Sequence, residues 1–265
     1  MLIEFDLIKS VDENAGKYFD LAKKQKKKIT GATSAIKDAK HKLKTILEQE
    51  EKFQEEEQIK AQKTTRKKEW YEKFHWFESS EGLLCIGGRD ATSNEIIIKK
   101  HMEPDDLVFH TDAPGSPFFL IKNASKATKI TIEETAQAVA VYSKAWKQGH
   151  ASTDVFYVKP EQVTKEAKSG EYMSKGAFMV YGKREYIRCK LEYCIGLIEN
   201  IIIGGPRTAI ETKTKNFITL VPGDEKKSDT VKKTKQKLGG GDLDEIMPFV
   251  PSGGAEVKKE QKQNR

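Results

Sequence analysis

Cysteine is scarce in this chain of 265 residues. Cys85, Cys189 and Cys194 are an odd number with no Cys-x-x-Cys pair, which excludes a disulfide framework and a zinc ribbon. Long apolar runs are missing as well. None approaches the ~18–20 residues that cross a bilayer, so a membrane-spanning reading is out. The opening residues Met1 to Asp6 carry acids where a secretory signal carries bases, and no apolar stretch follows. Neither a Walker A sequence nor Gly-x-Gly-x-x-Gly occurs, which leaves nucleotide hydrolysis without a motif. No Ser/His/Asp or Cys/His nucleophile arrangement can be argued. These absences lead to the expectation of a soluble, cytoplasmic protein with no cofactor and no membrane partner.

Charge, by contrast, is plentiful. Charged residues make up 33% of the chain against 37% hydrophobic, the net charge is +7, and the mean hydropathy is −0.65. Residues 1–73 hold 18 basic and 14 acidic side chains, residues 74–221 hold 19 and 18, and residues 222–265 hold 10 and 8. Most of the excess therefore lies in the first segment. A basic balance tilts partners toward polyanions.

That first segment is periodic. Val11, Ala15, Tyr18, Ala22, Gln25, Ile29, Ala32, Ile36, Ala39, Leu43, Ile46, Glu50 and Phe53 follow strict 4-3 spacing, with Lys, Glu, Gln and Asp between them. Heptads of this kind predict a coiled-coil arm, because a globular-core helix carries a broader apolar stripe. The partner of the seam stays open: a second copy, a returning segment within 54–73, or another protein. The lysines Lys23, Lys24, Lys26, Lys27 and Lys28 are either a solvated face or an RNA contact.

Beyond the acidic run Glu55, Glu56, Glu57 and the basic run Arg66, Lys67, Lys68, the texture changes. Trp70, Tyr71, Phe74, His75, Trp76 and Phe77 announce a packed domain. Short β-branched or aromatic runs predict strands at 74–79, 83–87, 107–111, 118–122, 154–158, 177–181, 184–191, 201–203, 207–212 and 217–221. A capping box Thr92-Ser93-Asn94-Glu95 predicts one helix. A second is expected at 131–148, with Ile132, Ala136, Val139, Ala140, Ser143 and Trp146 on one face. The fold class is thus α+β: a coiled-coil helical arm at 1–73, a mixed α/β domain at 74–221, and a Lys-rich, partly disordered tail at 222–265 with a short helix at 242–247.

Three stretches could carry chemistry. Gly87-Gly88-Arg89-Asp90 closes a strand and opens a helix, where backbone amides can approach an anion and Arg89 can fork onto a phosphate; the plain alternative is a tight turn with locally paired charges. His110 and Asp112 flank Thr111 before a Pro114-Gly115 turn and share a side of an extended chain. They suit a turn-organising hydrogen bond, an RNA contact, or an acid/base or metal pair that lacks a third ligand. On the strand 184–191, Arg184, Tyr186, Arg188 and Lys190 share one face at ~6.6 Å steps, and Lys183 precedes them. Such a face is either a platform for phosphates and bases or an ordinary solvated one.

Longer motifs sharpen this. Lys73-Phe74-His75-Trp76-Phe77-Glu78-Ser79-Ser80, then Leu84-Cys85-Ile86-Gly87-Gly88-Arg89-Asp90-Ala91 and Asn94-Glu95, resembles the opening of the NFACT-R domain of the NFACT family. The resemblance continues through Asp106-Leu107-Val108-Phe109-His110-Thr111-Asp112, Gly115, Ile121-Lys122-Asn123, Ser169-Gly170-Glu171-Tyr172 and Lys175 to Lys183. Asp242-Leu243-Asp244-Glu245-Ile246 is similar to the family's C-terminal stretch. Asn14-Ala15-Gly16-Lys17-Tyr18-Phe19 is similar to the start of its coiled coil. The resemblance implies binding to the large ribosomal subunit and to tRNA in ribosome-associated quality control. It also implies an NFACT-N domain ahead of the coiled coil, which nothing before Asn14 is long enough to hold. The expectation is the C-terminal half of an NFACT-type protein, with an NFACT-N-containing partner in trans as one open option.

The reading is a non-catalytic RNA-binding module with no metal, whose partners are tRNA, large-subunit rRNA or both, and the large ribosomal subunit. Its site residues are Gly87, Gly88, Arg89, Asp90, His110, Asp112, Lys183, Arg184, Tyr186, Arg188 and Lys190. Two rivals stand beside it: a nucleic-acid-processing enzyme using His110, Asp112, Asp90 and Glu95, and a coiled-coil protein–protein adaptor.

Overall fold

The computed structural model describes residues 3–62, 68–166 and 174–258, and the chain divides into two units, Met1–Lys67 and Lys68–Arg265. The Ser169-Gly170-Glu171-Tyr172 motif and Arg66-Lys67 lie outside the described residues.

The first unit is built on helix α1, Val11–Gln62. Ser10 and Glu13 start it reciprocally: Glu13 Oε2 accepts from the Ser10 amide at 2.8 Å, and Ser10 Oγ accepts from the Glu13 amide at 3.3 Å. The Asn14 and Tyr18 motif residues tie the preceding segment to the helix. Asn14 Nδ2 donates to the carbonyls of Asp6, Lys9 and Ser10, its Oδ1 accepts from the Asp6 amide, and Tyr18 Oη bonds the Glu4 backbone. The residues of the expected seam lie on this helix and are exposed: Ile29 is 66% exposed, Ile36 57% and Leu43 58%. A helix of 52 residues spans about 78 Å at ~1.5 Å per residue.

The second unit begins with a 3₁₀ turn, Trp70–Lys73, and strands β1 His75–Glu78 and β2 Leu84–Gly87. Helix α2, Ala91–Ile96, runs into a π-helical turn, Ile97–His101. Then come β3 Leu107–His110, β4 Phe119–Ile121, α3 Lys129–Val141, α4 Lys144–Lys147 and β5 Ser152–Val158. The short pair β6 Val163–Thr164 and β7 Met179–Val180 leads to β8 Glu185–Lys190, β9 Tyr193–Ile198 and β10 Ile201–Gly205. The chain ends with α5 Arg207–Glu211, β11 Phe217–Pro222, α6 Lys227–Leu238, α7 Leu243–Ile246 and β12 Ala255–Val257.

The main antiparallel sheet has the order β1-β2-β4-β3-β5-β8, and a second has the order β10-β9-β11-β12. Alternation along the strands gives the main sheet two buried faces. Cys85, Phe109, Phe119, Ile121 and Val155 pack with α3 and the second sheet, whereas Ile86, Val108, Leu120, Phe156 and Val158 pack with Ile97 and Ile98 of the π turn. The register Val108↔Leu120 and Phe109↔Phe119 keeps like faces together.

Several expectations need correction. Residues 207–211 are helical, not a strand: Pro206 presets the N-cap, Arg207 pairs with Glu211 one turn on at 2.6 Å, and Ala209 and Ile210 are buried. Strand β9 was missing from the sequence pattern because Gly196 interrupts it. A Cβ there would meet Thr214 Cγ2 at 2.7 Å, so close packing demands the glycine. The single helix expected at 131–148 is broken at Tyr142, where Ser143 caps α4 by accepting from the Ala145 amide. The capping box at α2 is Asp90 with Ser93, two residues earlier than the Thr92 pattern.

The segment 222–258 is no loose tail either. Strand β12 pairs with β11, Trp146 Nε1 donates to the Gly254 carbonyl at 2.9 Å, and Val231, Leu238, Ile246, Val250 and Ala255 are buried. Within the Lys-rich run, Thr230, Val231, Thr234 and Leu238 lie on one helical face, which is what docks α6.

Candidate functional site: a cation-lined cavity

Beside the main sheet the second unit carries a half-open cavity of about 770 Å³. Its wall is drawn from distant stretches: His75 of β1, Gly88 to Asn94, His110 to Phe118, Tyr142, Lys144 and Lys147 of α4, Phe156, the loop Ser174 to Val180, Arg184 and Ser252. The Gly87-Gly88 turn is dictated by packing. A Cβ on Gly87 would fall 2.0 Å from the Phe119 ring, and one on Gly88 would fall 1.9 Å from Asn94 Oδ1, which accepts from the Phe118 amide. Gly176, at φ +77°, lays the outer loop directly on Ala91, where a Cβ would come within 2.6 Å of backbone.

Each sequence-predicted residue has a definite place. Arg89 Nη2 donates to the carbonyls of Phe74 at 2.9 Å and Glu72 at 3.1 Å, so this one nitrogen braces the 3₁₀ turn. Asp90 caps α2 by accepting from the Ser93 amide and hydroxyl, and these bonds hold its carboxyl below the usual range. His110 stacks on Phe118 at 4.2 Å. Its Nδ1 lies 2.5 Å from the Thr111 carbonyl and its Nε2 3.0 Å from Ser116 Oγ. Nε2 also lies 3.2 Å from the Ser116 carbonyl; burial pushes the ring's pKa down, against these backbone contacts, which push it up. Asp112 is taken by Arg184, at 2.6 Å, while that guanidinium lies 4.6 Å over the Phe156 ring.

The structure thus gathers Gly88, Arg89, Asp90, His110, Asp112 and Arg184 around one cavity. The rest stay outside its wall. Gly87 is packed under Phe119, and Tyr186, Arg188 and Lys190 lie on the exposed face of the edge strand β8. Lys183 pairs with Glu185 at 2.7 Å and Arg188 with Asp154 at 3.4 Å, so part of that face is already neutralised.

Sequence reasoning missed Lys144, Lys147, Lys175, His75 and Tyr142. Lys144 and Lys147 lie on the exposed side of α4, opposite the buried Trp146, and line the cavity from there. Lys144, Lys147 and Lys175 form no ion pair among the described residues. His75 stacks on Tyr142 at 3.7 Å, and its buried Nδ1 has no hydrogen-bond partner among the described residues. Burial, with Arg89 and Lys227 nearby, lowers its pKa to about 3. Burial also pushes Arg89 and Lys227 down, Lys227 further through Arg89.

Metal chemistry gets no cluster of three His, Cys, Asp or Glu ligands among the described residues. The thiols are buried and pushed up, Cys85 and Cys189 to about 12 and Cys194 to about 11. Among the described residues no helix is long and apolar enough to cross a membrane.

Comparison with known proteins supplies the name of this architecture. Residues 73–182 match the family model of the NFACT protein RNA binding domain. The archaeal Rqc2 homolog aRqcH of Methanocaldococcus jannaschii is 41% identical over 206 residues, which is 74% of this chain and 30% of that protein. The chain belongs to the NFACT family. Human ribosome quality control complex subunit NEMF is 37% identical over 180 residues, 66% of this chain and 16% of that protein. A solved structure, the C-terminal of the fibronectin/fibrinogen-binding protein from Streptococcus suis, overlaps 46% of this chain and 47% of its own at 18% identity. Its TM-score is 0.39, a level that fixes neither fold nor function. The NFACT chain spans less than a third of the length of these curated relatives.

Proposed function

We propose that this NFACT chain binds structured RNA, tRNA or large-subunit rRNA, on the large ribosomal subunit in cytoplasmic ribosome-associated quality control. The observation that carries the reading is where the RNA-binding family match falls: residues 73–182 supply nearly all of the cavity wall, including Lys144, Lys147 and Lys175. Unpaired lysines around a cavity suit phosphates, which reward every neutralised charge with counterion release. Tyr186, Arg188 and Lys190 are a second, outer strip for the same backbone. Relatives bearing ribosome quality control names support the setting.

A catalytic use of His110 and Asp112 has less behind it, since the ring nitrogens face Thr111 and Ser116 and the carboxylate is held by Arg184. The exposed seam of α1 favours an additional helix–helix contact of the arm.

Fluorescence anisotropy of labelled tRNA and of a large-subunit rRNA fragment with the whole chain tests the reading. Affinity should fall steeply between about 50 and 200 mM salt, with a log–log slope of several units. No binding, or binding indifferent to salt, overturns it.

A further inference from the structure

The cavity holds more than a phosphate contact needs, and its chemistry is unbalanced in one direction. Arg89, Lys144, Lys147, Lys175 and Arg184 line it against two carboxylates, Asp90 and Asp112. Both carboxylates are engaged, one as the cap of α2 and the other with Arg184. Lys175 acts on the Asp90 carboxylate, whereas Lys144 and Lys147 form no ion pair among the described residues.

Size and lining then choose among anions. About 770 Å³ lies within the range of small-molecule pockets, ~300–1,000 Å³, and far exceeds what a lone phosphate fills. The wall also carries rings: the half-buried Tyr142 and Phe178, and the buried Phe118 and Phe156, which already carry His110 and Arg184. Rings and cations together match a base and its phosphate. A walled cavity admits a base only when it has left its stack.

We infer that the cavity takes a single unstacked nucleotide of the bound RNA, its phosphate among Lys144, Lys147 and Lys175 and its base against the ring-lined wall. This rests on the RNA-binding reading above. The domain then senses an unpaired nucleotide, at a strand end or in a loop, rather than duplex backbone alone. The Ser174–Val180 loop, laid on α2 by Gly176, forms the outer wall.

The test uses the whole chain and a short labelled single-stranded RNA carrying one 2-aminopurine, at the 3′ end or internally. Anisotropy reports RNA binding and 2-aminopurine fluorescence reports the environment of the base. Adenosine 5′-monophosphate, adenosine and inorganic phosphate are the competitors. The expected result is a change of at least twofold in base fluorescence on binding, reversed by adenosine 5′-monophosphate at concentrations at least tenfold below those needed of adenosine or phosphate. The Lys144→Ala/Lys147→Ala variant should lose the monophosphate tenfold while its melting temperature holds. RNA binding with unchanged base fluorescence and no competition by the monophosphate overturns the nucleotide cavity and leaves the RNA-binding reading standing. Phosphate competing as well as the monophosphate reduces the cavity to an anion seat and also overturns it. Failure of both RNA and monophosphate to bind removes both readings.

Discussion

Arg89 separates bracing from RNA contact. Replacing it with Ala removes the two bonds from Nη2 to the carbonyls of Phe74 and Glu72. Bonds to a charged donor contribute about 1.5–3 kcal/mol each when well formed. The Glu72 carbonyl is exposed and can turn to water, and the guanidinium is partly solvated, so most of the loss comes from the part-buried Phe74 carbonyl. A net destabilisation of about 1–3 kcal/mol follows, a fall of roughly 3–10 °C for a domain of this size. Arg89→Lys keeps the charge, but its shorter, unbranched stem does not carry the ammonium to where Nη2 lies, so it should recover only part of the stability. Thermal melts and tRNA anisotropy across a salt series, run on both variants, are the assay. The bracing role predicts a lower melting temperature with the salt slope nearly unchanged. An unchanged melting temperature with a slope flattened by about 0.7–0.9 would refute it and make Arg89 a phosphate ligand.

Ile246→Ala should cost about 2–5 kcal/mol in urea unfolding, because α7 is part of the core; a loss under ~0.5 kcal/mol would restore the loose tail. His75 titrates at about 3 when folded against 6.5 ordinarily, so the unfolded chain protonates first as pH falls. Stability should drain at up to ~1.4 kcal/mol per pH unit between about 6.5 and 3. His75→Phe, which keeps a ring on Tyr142, should flatten that loss, and equal pH slopes for parent and variant would contradict the assignment. Ile29→Asp with Ile36→Asp should abolish any association of the arm seen by light scattering, and an unchanged associated mass would show that the seam is not the contact.

The sequence made the arm and most of the main sheet legible because their signals are local. The 4-3 spacing runs through α1, and Val108-Phe109 and Phe119-Leu120 alternate between two buried faces. What escaped depends on contacts far apart in the chain. Nothing near Arg184 announces that Asp112, 72 residues earlier, neutralises it. Likewise Arg89 points at the backbone of Glu72 and Phe74 rather than outward, which no spacing rule foretells. The Gly87-Gly88 pair was legible as a turn, while its cause, the rings and amide pressed against it, was not. The lysines of α4 escaped because they are exposed, as a helical pattern expects, and only contacts distant in the chain set that exposed side on the cavity. Composition hid the last segment, whose Lys-rich helix docks through four residues on one face.

The salt dependence of tRNA affinity for the parent chain and for Lys144→Ala/Lys147→Ala/Lys175→Ala tests the cavity as the RNA site most directly. Three lost phosphate contacts should flatten the log–log slope by about 2 and weaken binding, with the melting temperature unchanged. The same slope and affinity in both proteins would place the RNA elsewhere on the domain.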